Sequence, residues 1–207
     1  AVQSRGPPIS TFDRAILYLS LCVLVQTAKF RPSAGRVPTG RLLVVSNAKV
    51  TENMRTQVGI IGAGPAGLFL SHLLHRAGID CVVLEARSRA YVEGRVRAGV
   101  LEPGTIETLA ALGLDERMRR EGMIDEGLDI RFRGKTIRLD LPELTGKKVI
   151  IYGQQEVVKD LIAARLAAAQ PLLFEAGVSE LIELDGERPK IRFSHEGAEQ
   201  LLECDFI

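Results

Sequence analysis

From Gln57 onward the chain alternates short apolar runs with amphipathic stretches. Residues 57–61 (QVGII) are apolar and run into glycines, the pattern of a parallel strand buried on both faces. Leucines at 68, 70, 73 and 74 predict a helix over 66–77, stopped by Gly78. Residues 81–84 (CVVL) predict a second buried strand, closed by Glu85. Strand, glycine turn, helix and strand make one βαβ unit. A helix is predicted over 103–112, ended by Gly113. The stretch 115–121 (DERMRRE) reads as a turn or two of helix with a solvated face. Residues 128–132 and 136–139 alternate apolar and polar around Gly134-Lys135, which predicts an antiparallel hairpin. Residues 148–152 predict a strand and 155–169 a helix. Strand-like pieces follow at 172–174, 178–184, 190–193 and 201–207, with turns at Asp185-Gly186 and Glu196-Gly197. The fold class is α/β: a Rossmann-like dinucleotide-binding domain, incomplete, with further β-strands towards the C-terminus.

The first 53 residues differ. They hold an apolar run at 15–25, too short for a bilayer-spanning helix of roughly 20 residues, then a stretch rich in Pro, Gly, Arg and Ser. They carry seven Lys/Arg against two Asp/Glu, leaving twenty against twenty-four for 54–207. No Met occurs before Met54, where the recognisable pattern starts. Residues 1–53 therefore read as a non-native or disordered extension, with a targeting segment or an ordered element as alternatives. The domain itself is expected over 54–207.

A hydrophobic content of 46% permits a packed core, and a net charge of +1 gives no overall attraction to nucleic acid or anionic lipid. Cys22, Cys81 and Cys204 form no CxxC pair, as suits free thiols in a reducing, cytoplasmic setting. Neither nucleic acid nor membrane is expected as a partner.

The chemistry sits in Gly62-Ala63-Gly64-Pro65-Ala66-Gly67. Gly62 permits a tight turn, Gly64 lets a pyrophosphate approach the backbone, and Gly67 lets the helix pack closely. The helix N-terminus adds free N–H groups and a positive dipole end. Glu85 ends the second strand, where an acid can accept from an adenosine ribose. NAD and FAD proteins share this turn. Read alone, Arg95 and Arg97 would be a solvated basic loop.

Four segments carry a family resemblance: TQVGIIGAGPAGL at 56–68, LLHRAGIDCVVLE at 73–85, GRVRAGVLE at 94–102 and IYGQQEV at 151–157. In order and spacing they resemble the single-component FAD-dependent aromatic hydroxylases, of the 4-hydroxybenzoate 3-monooxygenase type. The resemblance covers about three-quarters of the chain. It implies FAD as cofactor and NADPH or NADH as co-substrate. It also implies O2 and a small aromatic substrate, hydroxylated beside its existing hydroxyl, and a possible homodimer at full length. It places Arg95 and Arg97 near the flavin and its pyrophosphate, runs Val96, Ala98, Gly99 and Val100 along the cofactor, and sets Gln154 against FAD. Ala86 departs from the basic or polar residue common there, which leaves the choice of nicotinamide open. The family's substrate-binding sheet, second flavin motif and C-terminal helices have no counterpart here, so no catalytic residue is named. The fragment by itself is expected to be inactive, and a non-catalytic FAD-binding module, another flavin hydroxylase or a flavin reductase are the alternatives. His72 and His75 share a helix face without an acid at ligand spacing, so no metal site is expected.

Overall fold

The computed structural model describes residues 53–207. The apolar run at 15–25, Cys22 and the readings given to residues 1–52 lie outside the described residues.

The βαβ unit forms as predicted. β2 (Val58–Ile61) and β3 (Cys81–Leu84) are parallel, from Val58 opposite Cys81 to Ile61 opposite Leu84, and α1 (Pro65–Arg76) connects them. β9 (Leu172–Leu173) pairs with the other edge of β3, also parallel. β3 is therefore central and buried throughout, which is why CVVL has no polar position.

The two faces of β3 meet two cores. Cys81 and Val83 pack in the core that holds Leu68 of α1 and Leu161 and Ile162 of α6 (Gln154–Ala167). Val82 and Leu84 pack with Ile191, Phe193, Leu202 and Cys204. Those four residues belong to, or directly follow, an antiparallel meander of β10 (Gly177–Ile182), β11 (Lys190–His195) and β12 (Ala198–Glu203). β1 (Asn53–Arg55) completes that sheet, parallel to β12. The result is three layers: helices, parallel sheet, antiparallel sheet. Gly59 permits the contact between the sheets, since a methyl there would fall 2.6 Å from Ile191 Cδ1 and 2.7 Å from Cys204 Sγ. Burial pushes the Cys204 thiol up to about 11, so it packs as a neutral group. His72 is also buried. Burial holds its imidazole below the ordinary value, and Nε2 bonds the Leu161 carbonyl at 2.9 Å, joining α1 to α6.

Between β3 and β9 the chain makes a long excursion. It holds α2 (Arg89–Gly94), α3 (Pro103–Leu112), α4 (Glu116–Glu121) and α5 (Leu141–Thr145). β4 (Val100–Leu101), β8 (Val149–Ile151) and β5 (Met123–Asp125) form an antiparallel sheet in that order. β6 (Gly127–Phe132) and β7 (Lys135–Asp140) form the hairpin. Its turn is Arg133-Gly134, one residue earlier than predicted, with φ of 49° and 71°. Positive φ at both central residues matches the strand twist and favours Gly at the second.

The charged side of 115–121 is solvated as predicted, with Arg119, Arg120 and Glu116 exposed, but α4 also has a buried side. Met118 of α4 is 1% exposed within the helical core, and Arg117 reaches α6. No helix among the described residues is long and apolar enough to cross a membrane.

Candidate functional site

The glycine turn follows β2 directly. Gly62 has φ of 108°, a conformation strained for any side chain, and its N–H donates to Leu84 O at 2.7 Å. Gly67 is tied by space instead: a methyl there would drive into the Gly62 carbonyl and lie 3.2 Å from Ile60 Cγ2. Gly64 differs from both. Its φ of −74° suits any residue, and a methyl there would meet nothing within 4 Å.

The turn is stapled to β3 by Glu85. One carboxylate oxygen accepts from the Ala63 N–H at 2.8 Å, and the other from the Arg87 N–H at 2.8 Å. A carboxylate has about four acceptor positions, so lone pairs remain for a ligand hydroxyl.

Gly64 and Pro65, at the start of α1, line a cavity of about 500 Å³. Glu85, Arg95, Arg97 and Gln154 line the same cavity, so six of the sequence-predicted residues converge there. Gly62, Ala63, Ala66 and Gly67 shape the turn without lining it, and Val96, Ala98, Gly99 and Val100 do not line it either. The segment carrying them is held from behind. Tyr152 N–H donates to Gly99 O at 2.7 Å, and a methyl on Gly99 would fall 2.6 Å from Gly153 Cα.

Two helices begin at this cavity. α1 has Gly64 at its N-cap and α6 has Gly153, and no side chain caps either. Both therefore leave backbone N–H groups and positive dipole ends near the lining residues. With Arg87, Arg95 and Arg97 in the wall, the cavity suits an anion. Its size lies within the range of cofactor sites, and the space beside Gly64 admits a phosphate to the backbone. The residues fit an FAD pyrophosphate.

Sequence reasoning passed over Arg87, Tyr91 and Gln155 in the lining. Arg87 lies over the Tyr91 ring, 5.3 Å from its centroid. Their spacing of four residues, at the start of a helix, was the available signal. Gln155 was visible only as the neighbour of Gln154.

A polar network braces the α6 side. Tyr152 OH donates to Asp160 at 2.7 Å, and Arg117 donates to Asp160 at 2.8 Å, to Glu121 at 2.9 Å and to Glu156. Burial, then the bond to Asp160, pushes the Tyr152 phenol above its ordinary value, so it remains a donor. Lys159 and then Arg117 hold the Glu156 carboxyl below the usual carboxylate range. Arg117→Leu is expected to destabilise the fold by roughly 1–2 kcal/mol at neutral pH, as loss of a partly buried charged hydrogen-bond set should. The Glu156 contribution is whole above the ordinary value of 4.5 and is lost as pH falls through its lower folded value. The melting-temperature gap between wild type and variant should therefore narrow in strong acid. A gap constant from neutral to acid pH would contradict this.

Comparison with known proteins agrees with the geometry. The FAD binding domain family matches residues 55–207. The p-hydroxybenzoate hydroxylase of Acinetobacter baylyi is 41% identical over 157 residues, 75% of this chain and 39% of that protein. The 6-methylpretetramide 4-monooxygenase of Streptomyces rimosus is 35% identical over 115 residues, 54% of this chain and 27% of that protein. The crystal structure of p-nitrophenol 4-monooxygenase from Pseudomonas putida matches with a TM-score of 0.65 at 22% identity, over 74% of this chain and 40% of that one. That last likeness is one of fold. The chain spans about two-fifths of the length of the Acinetobacter relative, which is 39% covered. By the family match over 55–207, and with a glycine turn, acid and arginines converging on one cavity, this chain belongs to the FAD binding domain family.

Proposed function

We propose that residues 54–207 are the cofactor-holding front of a flavin-dependent monooxygenase. The whole protein would convert 4-hydroxybenzoate to 3,4-dihydroxybenzoate with NADPH or NADH and O2. The observation that carries this reading is the meeting of Gly64, Glu85, Arg95, Arg97 and Gln154 in one cavity. The 41% identity to p-hydroxybenzoate hydroxylase supports the choice of substrate.

Bound FAD would supply hydride acceptance and oxygen transfer. The chain's part is binding and orientation. The α1 N-terminus and the Gly64 backbone receive the pyrophosphate, on the turn formed by Gly62, Ala63, Pro65, Ala66 and Gly67. Arg95 and Arg97 neutralise its charge with planar donors. Glu85 accepts a ribose hydroxyl through its remaining lone pairs, and Gln154 bonds the cofactor from α6. The backbone of Val96, Ala98, Gly99 and Val100 borders the flavin side.

The test is turnover by the protein that carries this chain. With 4-hydroxybenzoate present, oxidation of NADPH or NADH should accompany formation of 3,4-dihydroxybenzoate, followed by chromatography. FAD binding with hydroxylation only of a different phenol would remove the substrate assignment. The 35% identity to 6-methylpretetramide 4-monooxygenase favours that second reading, a flavin hydroxylase of another aromatic substrate.

A further inference from the structure

Two of the cavity arginines, Arg95 and Arg97, sit on exposed chain that belongs to no helix or strand. Val96 between them is 77% exposed, so packing does not hold the segment. Among the described residues, no backbone hydrogen bond joins residues 96–98 to the rest of the molecule. On one side α2 ends at Gly94. On the other, the first tie is the Tyr152 N–H, which donates to Gly99 O at 2.7 Å. The short pairing of β4 with β8 follows, Val100 opposite Ile151 and Leu101 opposite Ile150. The arginines therefore hang between α2 and this tie, and a shift of Tyr152 moves them.

Tyr152 is itself gripped. It is 5% exposed and packs in the helical core, where a phenol hydroxyl needs a partner. Asp160 supplies it at 2.7 Å and accepts from Arg117 at 2.8 Å with its other oxygen. Arg117 Cζ also stands 5.7 Å from the centroid of the Tyr152 ring. The ring is thus held at its hydroxyl and over one face. Directly after it the chain enters Gly153 and Gln154, the start of α6. A methyl on Gly99 would lie 2.9 Å from Tyr152 O as well as against Gly153, so no side chain fits between the two segments. One residue joins the arginine segment to the glutamine at the start of α6.

The geometry points to Tyr152 as a positioning residue for the cofactor site. Its hydroxyl, held by Asp160 and Arg117, fixes the backbone N–H that anchors Gly99, and so sets the spacing of Arg95 and Arg97 from Gln154. Tyr152 does not line the cavity and acts through the arginines. This assignment rests on the FAD reading of the cavity.

The experiment is titration of the full 207-residue chain with FAD, following flavin fluorescence at a temperature where circular dichroism shows each variant folded. Tyr152→Phe keeps the ring and the backbone and removes only the hydroxyl. Its FAD affinity should fall roughly three- to tenfold, the range of one hydrogen bond. The second background is Arg95→Gln with Arg97→Gln. There Tyr152→Phe should change affinity less than about twofold, because the groups it positions are gone. A merely structural tyrosine would weaken binding by the same factor in both backgrounds, and that additive result would overturn the proposal. Arginine contacts to a pyrophosphate are screened by salt, so Tyr152→Phe should also flatten the dependence of FAD affinity on ionic strength. A slope equal to that of the unaltered chain would count against it. Asp160→Ala, which leaves the hydroxyl without its acceptor, should reproduce the loss and the flatter slope. Normal FAD affinity in either folded variant would overturn this assignment alone. Failure of the unaltered, folded chain to bind FAD would overturn the cofactor reading and this assignment with it.

Discussion

Gly64→Val is expected to leave the fold intact and to lower FAD affinity by about 100-fold or more, roughly 2.7 kcal/mol. Both halves come from one position. At φ of −74° the backbone suits valine, and a Cβ would meet no protein atom within 4 Å. The apo melting temperature should therefore barely move. The free space is the approach to the N-terminus of α1, and an isopropyl group there holds phosphate away from the backbone N–H groups. Gly67→Ala is the contrasting variant. Its methyl would collide with the Gly62 carbonyl, so the chain should lose stability before cofactor affinity is in question. Melting curves and flavin titration of both variants check the pair. Normal FAD affinity in Gly64→Val would mean that the pyrophosphate does not lie on this turn.

The contrast among these glycines shows how far sequence carries. GxGxxG followed by a leucine-spaced helix was legible because close approach and tight turning leave few alternatives to Gly. Glu85 was legible as an acid at a strand end, yet its stapling of Ala63 and Arg87 depends on where the turn lands in three dimensions. The α4 stretch was legible only on its solvated side, where Glu116, Arg119 and Arg120 are exposed. In six residues a single Met118 carries the buried face, too few for a period to register, and Arg117 looks solvated until α6 arrives beside it. The hairpin was visible by alternation, but Leu128, Ile130, Phe132 and Ile137 remain 43–66% exposed. Alternation marks which face is apolar and says nothing of what covers it.

Arg165→Leu is expected to cost about 3–5 kcal/mol of stability, a fall in melting temperature of roughly 10 °C or more. Helical periodicity places Arg165 on the buried stripe of α6 after Val158, Leu161 and Ile162, an address that sequence reading gives to an aliphatic residue. The side chain is nonetheless fully buried. Its guanidinium donates to Cys81 O at 2.8 Å, Gln170 Oε1 at 2.8 Å and Pro171 O at 2.9 Å. All three acceptors are neutral, so the charge is solvated by carbonyls rather than paired. Those carbonyls stand at the start of β3 and just before β9, so one side chain joins the last turns of α6 to two strands of the parallel sheet. Leucine would fill much of the volume but remove every donor at once, leaving buried carbonyl oxygens short of partners. Arg165→Lys should recover less than half of the loss, because one ammonium cannot span the acceptors that a planar fork reaches. Arg192 is the surface comparison. Its ion pairs with Glu180 and Glu199 bridge neighbouring strands on the partly exposed side of the antiparallel sheet, and Arg192→Leu should shift the melting temperature little. If Arg165→Leu melted like Arg192→Leu, the sheet would not depend on this contact.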